Sequence, residues 1–264
     1  MNVNIKRITI PQHLLLLAGL VACVMGKVSL WWLVAPYIGW FFVGFFGFNI
    51  FYHRFISHSS FKTHRIIEVI GVYLGLLAGR GSPLFMANVH TPLHHAYSDT
   101  DKDPHSPIHG FWHAYILWQN KPVSFQRSQI KRIYKDKVFK FYSDHYFKIF
   151  WATAIILGLI DWRIMVFGMM GGGVLQGHFE AIVQTFAHMP GYGTQDCDTG
   201  DNSRNLRGLY NAVTLGSGLH NNHHFRAGSY SYKVKPDDFD VATHVIEWIA
   251  IPGSLRNGRN IPSS

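Results

Sequence analysis

From Ile8 to Gly26, and again from Val28 to Tyr52, the chain carries no Asp, Glu, Lys or Arg, and only Lys27 separates the two runs. A helix needs roughly 20 mostly apolar residues to cross a hydrocarbon core. The pattern therefore predicts two membrane-spanning helices, about 8–26 and 28–52, joined as a hairpin. No small-residue cleavage site stands between the runs, so the first is expected to be a retained span and not a removed signal peptide. A second hairpin is expected at 146–160 and 164–186, around the polar turn Asp161-Trp162-Arg163. Its returning arm holds Gly171-Gly172-Gly173, His178 and Glu180. Polar groups in a span are costly and usually line a functional cavity. The run "EVIGVYLGLLAG" at 68–79 is too short to cross and predicts a buried or interfacial helix.

Composition agrees with a membrane protein: 48% of the 264 residues are hydrophobic and only 15% are charged, against about a quarter charged in soluble domains. Lys and Arg exceed Asp and Glu by nine, which suits anionic lipid headgroups, phosphorylated carriers or acidic proteins as partners. No basic helix, zinc finger or RNA-binding aromatic motif is visible, so nucleic acid is not expected. Cys23 and Cys197 stand far apart with no CxxC neighbour, and neither a disulfide framework nor a thiolate site is indicated. The whole of 1–264 reads as one domain, an all-α membrane protein with four transmembrane helices in two hairpins. Its cap, about 53–145 and 188–264, then falls on one side of the membrane. Of the 24 Lys and Arg, all but Lys27 and Arg163 belong to that side, and the positive-inside rule makes it cytoplasmic.

Three histidine groups lie on this side: "HRFISH" with His53 and His58, "HTPLHH" with His90, His94 and His95, and "HNNHH" with His220, His223 and His224. On a helix, positions 220, 223 and 224 are i, i+3 and i+4, so all three imidazoles are expected on one face, a spacing that suits a shared metal. His90 and His94 would also be a turn apart. Pro92 disfavours helix at Thr91, however, so a helix is expected to begin there, with His90 approaching from the preceding loop. Imidazole is the commonest metal ligand at neutral pH. Eight nitrogen ligands exceed the four that one tetrahedral zinc needs, and two metal ions is the simpler count.

These boxes and their flanks resemble the integral-membrane fatty acid desaturases, in particular the delta-9 acyl-CoA desaturase-like branch. "HHAYSDTDKDPHSP" at 94–107, "HMPGY" at 188–192, "DNSRN" at 201–205 and "LHNNHH" at 219–224 carry the likeness, which runs from about Phe51 to Trp248. It implies a four-span helical fold whose cytosolic helical cap holds two iron ions, with molecular oxygen as co-substrate and an acyl chain in a tunnel beneath. It makes ligands of His53, His58, His90, His94, His95, His220, His223 and His224. It adds His188 from "QTFAHMPGY" as a ninth and sets Gln184, one turn earlier, where it would reach a metal through water or serve as an ordinary hydrogen-bonding residue. The implied reaction inserts a cis double bond into a saturated acyl chain and consumes two external electrons. A separate donor is then needed, cytochrome b5-like, ferredoxin-like or rubredoxin-like with its reductase, and an acidic one suits the basic cytosolic face.

A ligating imidazole normally donates its other N–H to a carboxylate or carbonyl, which nominates Asp99 and Asp103 against the alternative of a solvated loop. His105 is expected as a polar contact and not a ligand. The run Asp99, Asp101, Asp103 opens like a calcium loop but lacks the turning glycine and the closing carboxylate. Box two departs from the branch by three residues between its first two histidines and by Thr91 in place of Arg, and Ser217 stands where a carboxylate is usual. These departures leave the acyl carrier open among coenzyme A, acyl carrier protein and a membrane glycerolipid. A related di-iron hydroxylase of lipid, alkane or carotenoid is the nearer alternative function. A metal-binding or transport protein is the farther one, although transporters place ligands near the bilayer midplane and these boxes lie outside the spans.

Overall fold

The computed structural model describes residues 5–257; the chain ends at 1–4 and 258–264, and with them the tail of the expected cap, lie outside the described residues. Among the described residues the structure is helical, without a strand. Three helical runs are long and apolar enough to cross a membrane: Lys6–Val24, Leu30–Ser57 and Tyr146–Phe186. We call the first two α1 and α2. A straight helix of the third run's 41 residues would be about 60 Å long, twice a hydrocarbon core. It is interrupted at Asp161, whose backbone is extended (φ −158°, ψ 114°). The Asp161 carboxylate accepts the backbone N–H of Arg163 at 2.9 Å, so the polar triplet breaks the helix where the sequence places a turn. The segment that includes this break is α3, Tyr146–Arg163, and the run ends as α4, Gly171–Phe186.

The second run is longer than its hydrophobic pattern suggests. It continues past Tyr52 to Ser57, so His53 is carried on this helix. From Phe41 onward this helix is of the π type. Box two brings a further correction. Pro83–Val89 and His90–His95 form one helix, α5, of which the second part is again π-type. Its start is set by Ser82, whose side chain accepts from Phe85 N–H at 3.2 Å, with Pro at the first position. Pro92 does not begin a helix as expected. The π-type turn accommodates the proline where a tight α-turn would suffer its missing N–H and its ring.

The 68–79 run forms a helix, Arg65–Leu77, with five of its 13 residues buried. It lies against α2 through glycines. A Cβ on Gly47 would come within 2.3 Å of Gly75 N, and one on Gly71 within 2.2 Å of the Phe51 ring. On the opposite side Gly172 meets the α2 backbone, where a Cβ would stand 2.6 Å from Gly39 C. Helices that lack side chains at their crossing approach until their backbones touch. The triple glycine of α4 thus serves packing. Between these helices Trp40, Phe45, Phe48, Phe51, Phe55 and Phe61 are buried as one core.

Candidate metal centre

The nine histidines converge at the C-terminal end of α2, and they do so in two groups. His53, His58, His90, His95 and His223 bring their ring nitrogens together in one, and His94, His188, His220 and His224 in the other. Helix geometry explains the sorting. Five positions span about 140° around an α-helix, which would aim His53 and His58, or His90 and His95, apart. The wider π turn brings such pairs back to one side, and His58 N–H donates to His53 C=O, an i→i+5 bond of 3.2 Å. On the α-helix His220–Phe225, by contrast, His220 and His224 share a group at i, i+4, while His223 turns to the other. The expectation that 220, 223 and 224 serve one metal is therefore corrected: adjacent histidines at 94/95 and 223/224 feed different groups.

That six-residue helix has no side-chain cap of its own. Its two asparagines pin it instead. Asn221 accepts the N–H groups of Asp196 and Cys197 at 2.9 and 2.8 Å. Asn222 donates to Asp238 and to Tyr232 C=O at 2.8 and 2.9 Å, and accepts from Asn205 at 2.8 Å. The loop 196–205 and the segment 232–238 thereby fix the direction of three imidazoles.

The ring nitrogens have more close neighbours than hydrogen bonding can serve. His90 Nε2 lies 2.6 Å from His53 Nε2, 2.8 Å from His58 Nε2 and 3.0 Å from His95 Nε2. His223 Nε2 lies 3.1 and 2.9 Å from those of His53 and His95. A neutral imidazole nitrogen offers one proton or one lone pair and cannot satisfy three such partners. Nitrogens about 2.1 Å from one ion sit about 3.0 Å apart when at right angles. The donor set fits a shared cation. In the second group His188 and His220 meet at 2.8 Å and His94 and His224 at 3.2 Å.

Protonation agrees with that fit. Burial pushes the His58 imidazole down to about 3, with the nearby His224 and Arg54 adding to it. Burial likewise holds His90, His94, His95, His220 and His223 well below the usual histidine value, and the other imidazoles mostly push the same way. Neutral imidazole is the ligating form. The opposite ring nitrogens are also fixed. His94 Nδ1–H donates to Asp103 at 3.0 Å and His188 Nδ1–H to Asp99 at 3.2 Å. His224 Nδ1–H donates to Asp201 at 2.7 Å, and His53 Nδ1 meets the Tyr232 hydroxyl at 3.1 Å. Burial alone would raise Asp103 and Asp201, yet their histidine partners hold both below the usual carboxylate range. Each carboxylate bond selects the tautomer whose Nε2 lone pair faces inward.

Asp99 and Asp103 thus stand where metal chemistry nominates them. Asp201 and Tyr232 were missed, although "DNSRN" begins with Asp201 and the rule that nominated Asp99 applied equally to it. Gln184 spends its amide elsewhere: its carbonyl accepts from Trp118 Nε1 at 3.1 Å and its NH2 donates to Glu180 at 2.9 Å. Ser217 accepts from Asn49 Nδ2 at 2.8 Å, filling the place of the usual carboxylate. His105 packs on Trp118, 3.7 Å from Asp103, and belongs with His94 and Asp103 to a third possible ligand group.

Both histidine groups border one cavity, which also reaches Phe48, Met86, Phe179 and Val183, with Asn49, Gln176 and Glu180 among its polar lining. An apolar chamber beside clustered ligand nitrogens can hold a hydrocarbon substrate against a metal centre.

A family profile described as fatty acid desaturase matches residues 13–235. Among curated proteins the chain is similar to "Acyl-CoA 5-desaturase AL21" of Anemone leveillei, 33% identical over 78% of this chain and 61% of that protein. It is 27% identical to "Delta-9 acyl-lipid desaturase 2" of Arabidopsis thaliana, over 80% and 69%. It is 35% identical to "sn-2 palmitoyl-lipid 9-desaturase" of Nostoc sp. (strain 36), over 71% and 67%. The chain thus spans roughly two thirds of these relatives' lengths.

Proposed function

We propose that this chain, which belongs to the fatty acid desaturase family, is an oxygen-dependent acyl desaturase that inserts a cis double bond into a saturated acyl chain. The observation that carries this reading is the division of nine imidazoles into groups of five and four, each group sending members to the wall of one cavity: His53 and His90 from the five, His94, His188 and His220 from the four. The five would hold one iron and the four a second. Iron bound there supplies the oxygen chemistry needed to remove hydrogen from unactivated methylenes, beyond the reach of any side chain. The chain's own residues position and exclude. Phe48, Met86, Phe179 and Val183 bind the alkyl chain and keep water away, and Asp99, Asp103, Asp201 and Tyr232 keep the imidazoles aimed.

The same reading takes the broken Tyr146–Phe186 run as two crossings, for four in all, with Lys27 and Arg163 in turns across the membrane and the histidines on the cytoplasmic side. The domain then fills 1–264. Two electrons per turnover come from a separate donor protein, cytochrome b5-like, ferredoxin-like or rubredoxin-like, docking on the basic cap. The alkyl chain arrives on an acyl carrier, and the relatives' names include both acyl-CoA and acyl-lipid desaturases.

The test is the fatty acid profile of a desaturase-deficient host expressing the chain or its His94→Ala variant, with double-bond positions by mass spectrometry. A new cis alkene that vanishes in the variant is the expected result. A hydroxylated product would move the assignment to the hydroxylase class. An unchanged profile, with donor proteins supplied and iron bound, would overturn lipid oxidation altogether.

A further inference from the structure

A second pocket opens between α1 and α4, bounded by Thr9, His13, Arg80, Tyr115, Gln119 and Gly177. It sits on two of the apolar runs. Ile10, Leu14 and Ile116 complete its lining and are 52%, 60% and 44% exposed, so the rim faces the lipid in a membrane-embedded chain.

Its polar groups fall into two classes. One class is spent internally. The Tyr115 hydroxyl donates to His178 Nδ1 at 2.9 Å, His178 Nε2 meets His13 Nε2 at 3.3 Å, and His13 Nδ1 donates to Thr9 C=O at 2.6 Å. One tautomer for each ring, with the remaining proton on His178 Nε2 and on His13 Nδ1, satisfies the whole chain without net charge. The other class is unspent. Arg80 is only 8% exposed, and its Nε donates to Glu180 at 2.9 Å. Among the described residues its terminal nitrogens have no hydrogen-bond partner, and the buried Gln119 amide has none either. Gly177 leaves them room: a Cβ there would lie 3.2 Å from Arg80 Nη1. These donors face the pocket and can bond an acceptor that enters it.

Charge decides what would satisfy them. Glu180 already neutralises Arg80, and the tyrosine–histidine chain is neutral, so the pocket carries donors without an excess positive charge. Such a site suits neutral oxygen acceptors and gives little attraction to a phosphate or a carboxylate. The Arg80–Glu180 pair also borders both spaces, since Arg80 lines this pocket and Glu180 lines the histidine cavity. Along α4 and just beyond it, His188 lies ten residues from His178, about 15 Å by helical rise. Ten or twelve methylenes at about 1.25 Å each, from C–C bonds of about 1.5 Å, cover a similar length.

We infer that this pocket binds the ester-linked glycerol end of an intact membrane lipid, the Arg80 and Gln119 N–H groups donating to its ester carbonyls. The acyl chain then reaches the histidine cavity as part of a glycerolipid and not as a soluble thioester. This rests on the desaturase reading and names its substrate class.

The test uses the full chain loaded with iron in nanodiscs of dipalmitoyl phosphatidylcholine, and in parallel with palmitoyl-coenzyme A, both with a donor protein supplied. Retained lipid is counted by native mass spectrometry after a detergent wash. Gly177→Leu fills the space before Arg80, and His13→Trp narrows the exposed mouth should the first variant fold poorly. The expected result is phosphatidylcholine held by the wild type, held about tenfold less by a folded variant, and insensitive to added salt because the contacts are neutral. Alkene should form on the intact lipid. Equal retention by the wild type and both variants, or conversion of the thioester with none of the lipid, would overturn the inference. Absence of alkene from either carrier would count against the desaturase reading instead, and lipid retention would still judge the pocket.

Discussion

The Asp201 carboxylate accepts the Nδ1–H of His224 at 2.7 Å from a loop 23 residues earlier in the chain. That bond orients a ligand of the four-histidine group, where Asp99 and Asp103 do the same for His188 and His94. The group with fewer imidazoles therefore has three carboxylates behind it, which raise ligand basicity. Asp201→Ala should lower iron affinity at this group about 10–100-fold, and Asp201→Asn, which keeps an acceptor but loses the charge, should fall between. Iron titration followed by elemental analysis tests it, and full iron retention by the alanine variant would contradict the role.

His94 and His95 are neighbours in sequence and belong to different groups. Replacing one should therefore spare the other site. His94→Ala and His95→Ala are each expected to reduce bound iron from two ions toward one, and the double variant to reduce it further. Activity should be lost in every case if the proposed reaction uses both ions. If either single variant loses all its iron, the two groups do not load independently.

How much of this was legible in the sequence depends on the kind of information each feature carries. Hydrophobic runs announced α1, α2 and the broken Tyr146–Phe186 run, because burial in lipid writes itself as uninterrupted apolar stretches. The identity of the clustering histidines was legible too. Their partition was not. It follows from π-type turns at Phe41–Ser57 and His90–His95, and a search for 3.6-residue periodicity places residues five apart on different faces. Nor could spacing reveal Tyr232, which reaches His53 from 179 residues away. Gln184 was nominated by the family motif and by its i, i+4 spacing from His188; its hydrogen bonds to Trp118 and Glu180 depend on neighbours that no local pattern specifies.

Tyr232 also connects the centre to a buried charge. Arg54, 2% exposed, makes paired bonds of 2.9 and 3.0 Å to Asp240, while its guanidinium stacks 3.6 Å from the Tyr232 ring. Two variants separate the roles. Tyr232→Phe keeps the stacking but removes the hydroxyl from His53, so stability should change little while iron affinity at the five-histidine group drops about tenfold or more. Arg54→Leu strands the buried Asp240 carboxylate, which typically costs about 3–5 kcal/mol. Thermal unfolding of the metal-free variants reads the second effect apart from the first, and equal melting of Arg54→Leu and wild type would show that Asp240 finds another partner.

The glycine crossing of α2 predicts a different kind of failure. Gly47 faces Gly75 so closely that a methyl group would stand 2.3 Å from a backbone nitrogen, and a backbone atom cannot swing aside as a side chain end can. Gly47→Ala should therefore push the Arg65–Leu77 helix away from α2 and destabilise the fold by about 1–3 kcal/mol, the usual range for overpacking. Because α2 carries His53 six residues further on, the same displacement should loosen the five-histidine group before the four-histidine group, whose ligands come from other segments. Melting temperature and iron stoichiometry measured together distinguish this from a local packing defect: a fall in stability with both ions still tightly held would mean that the strain stops short of His53.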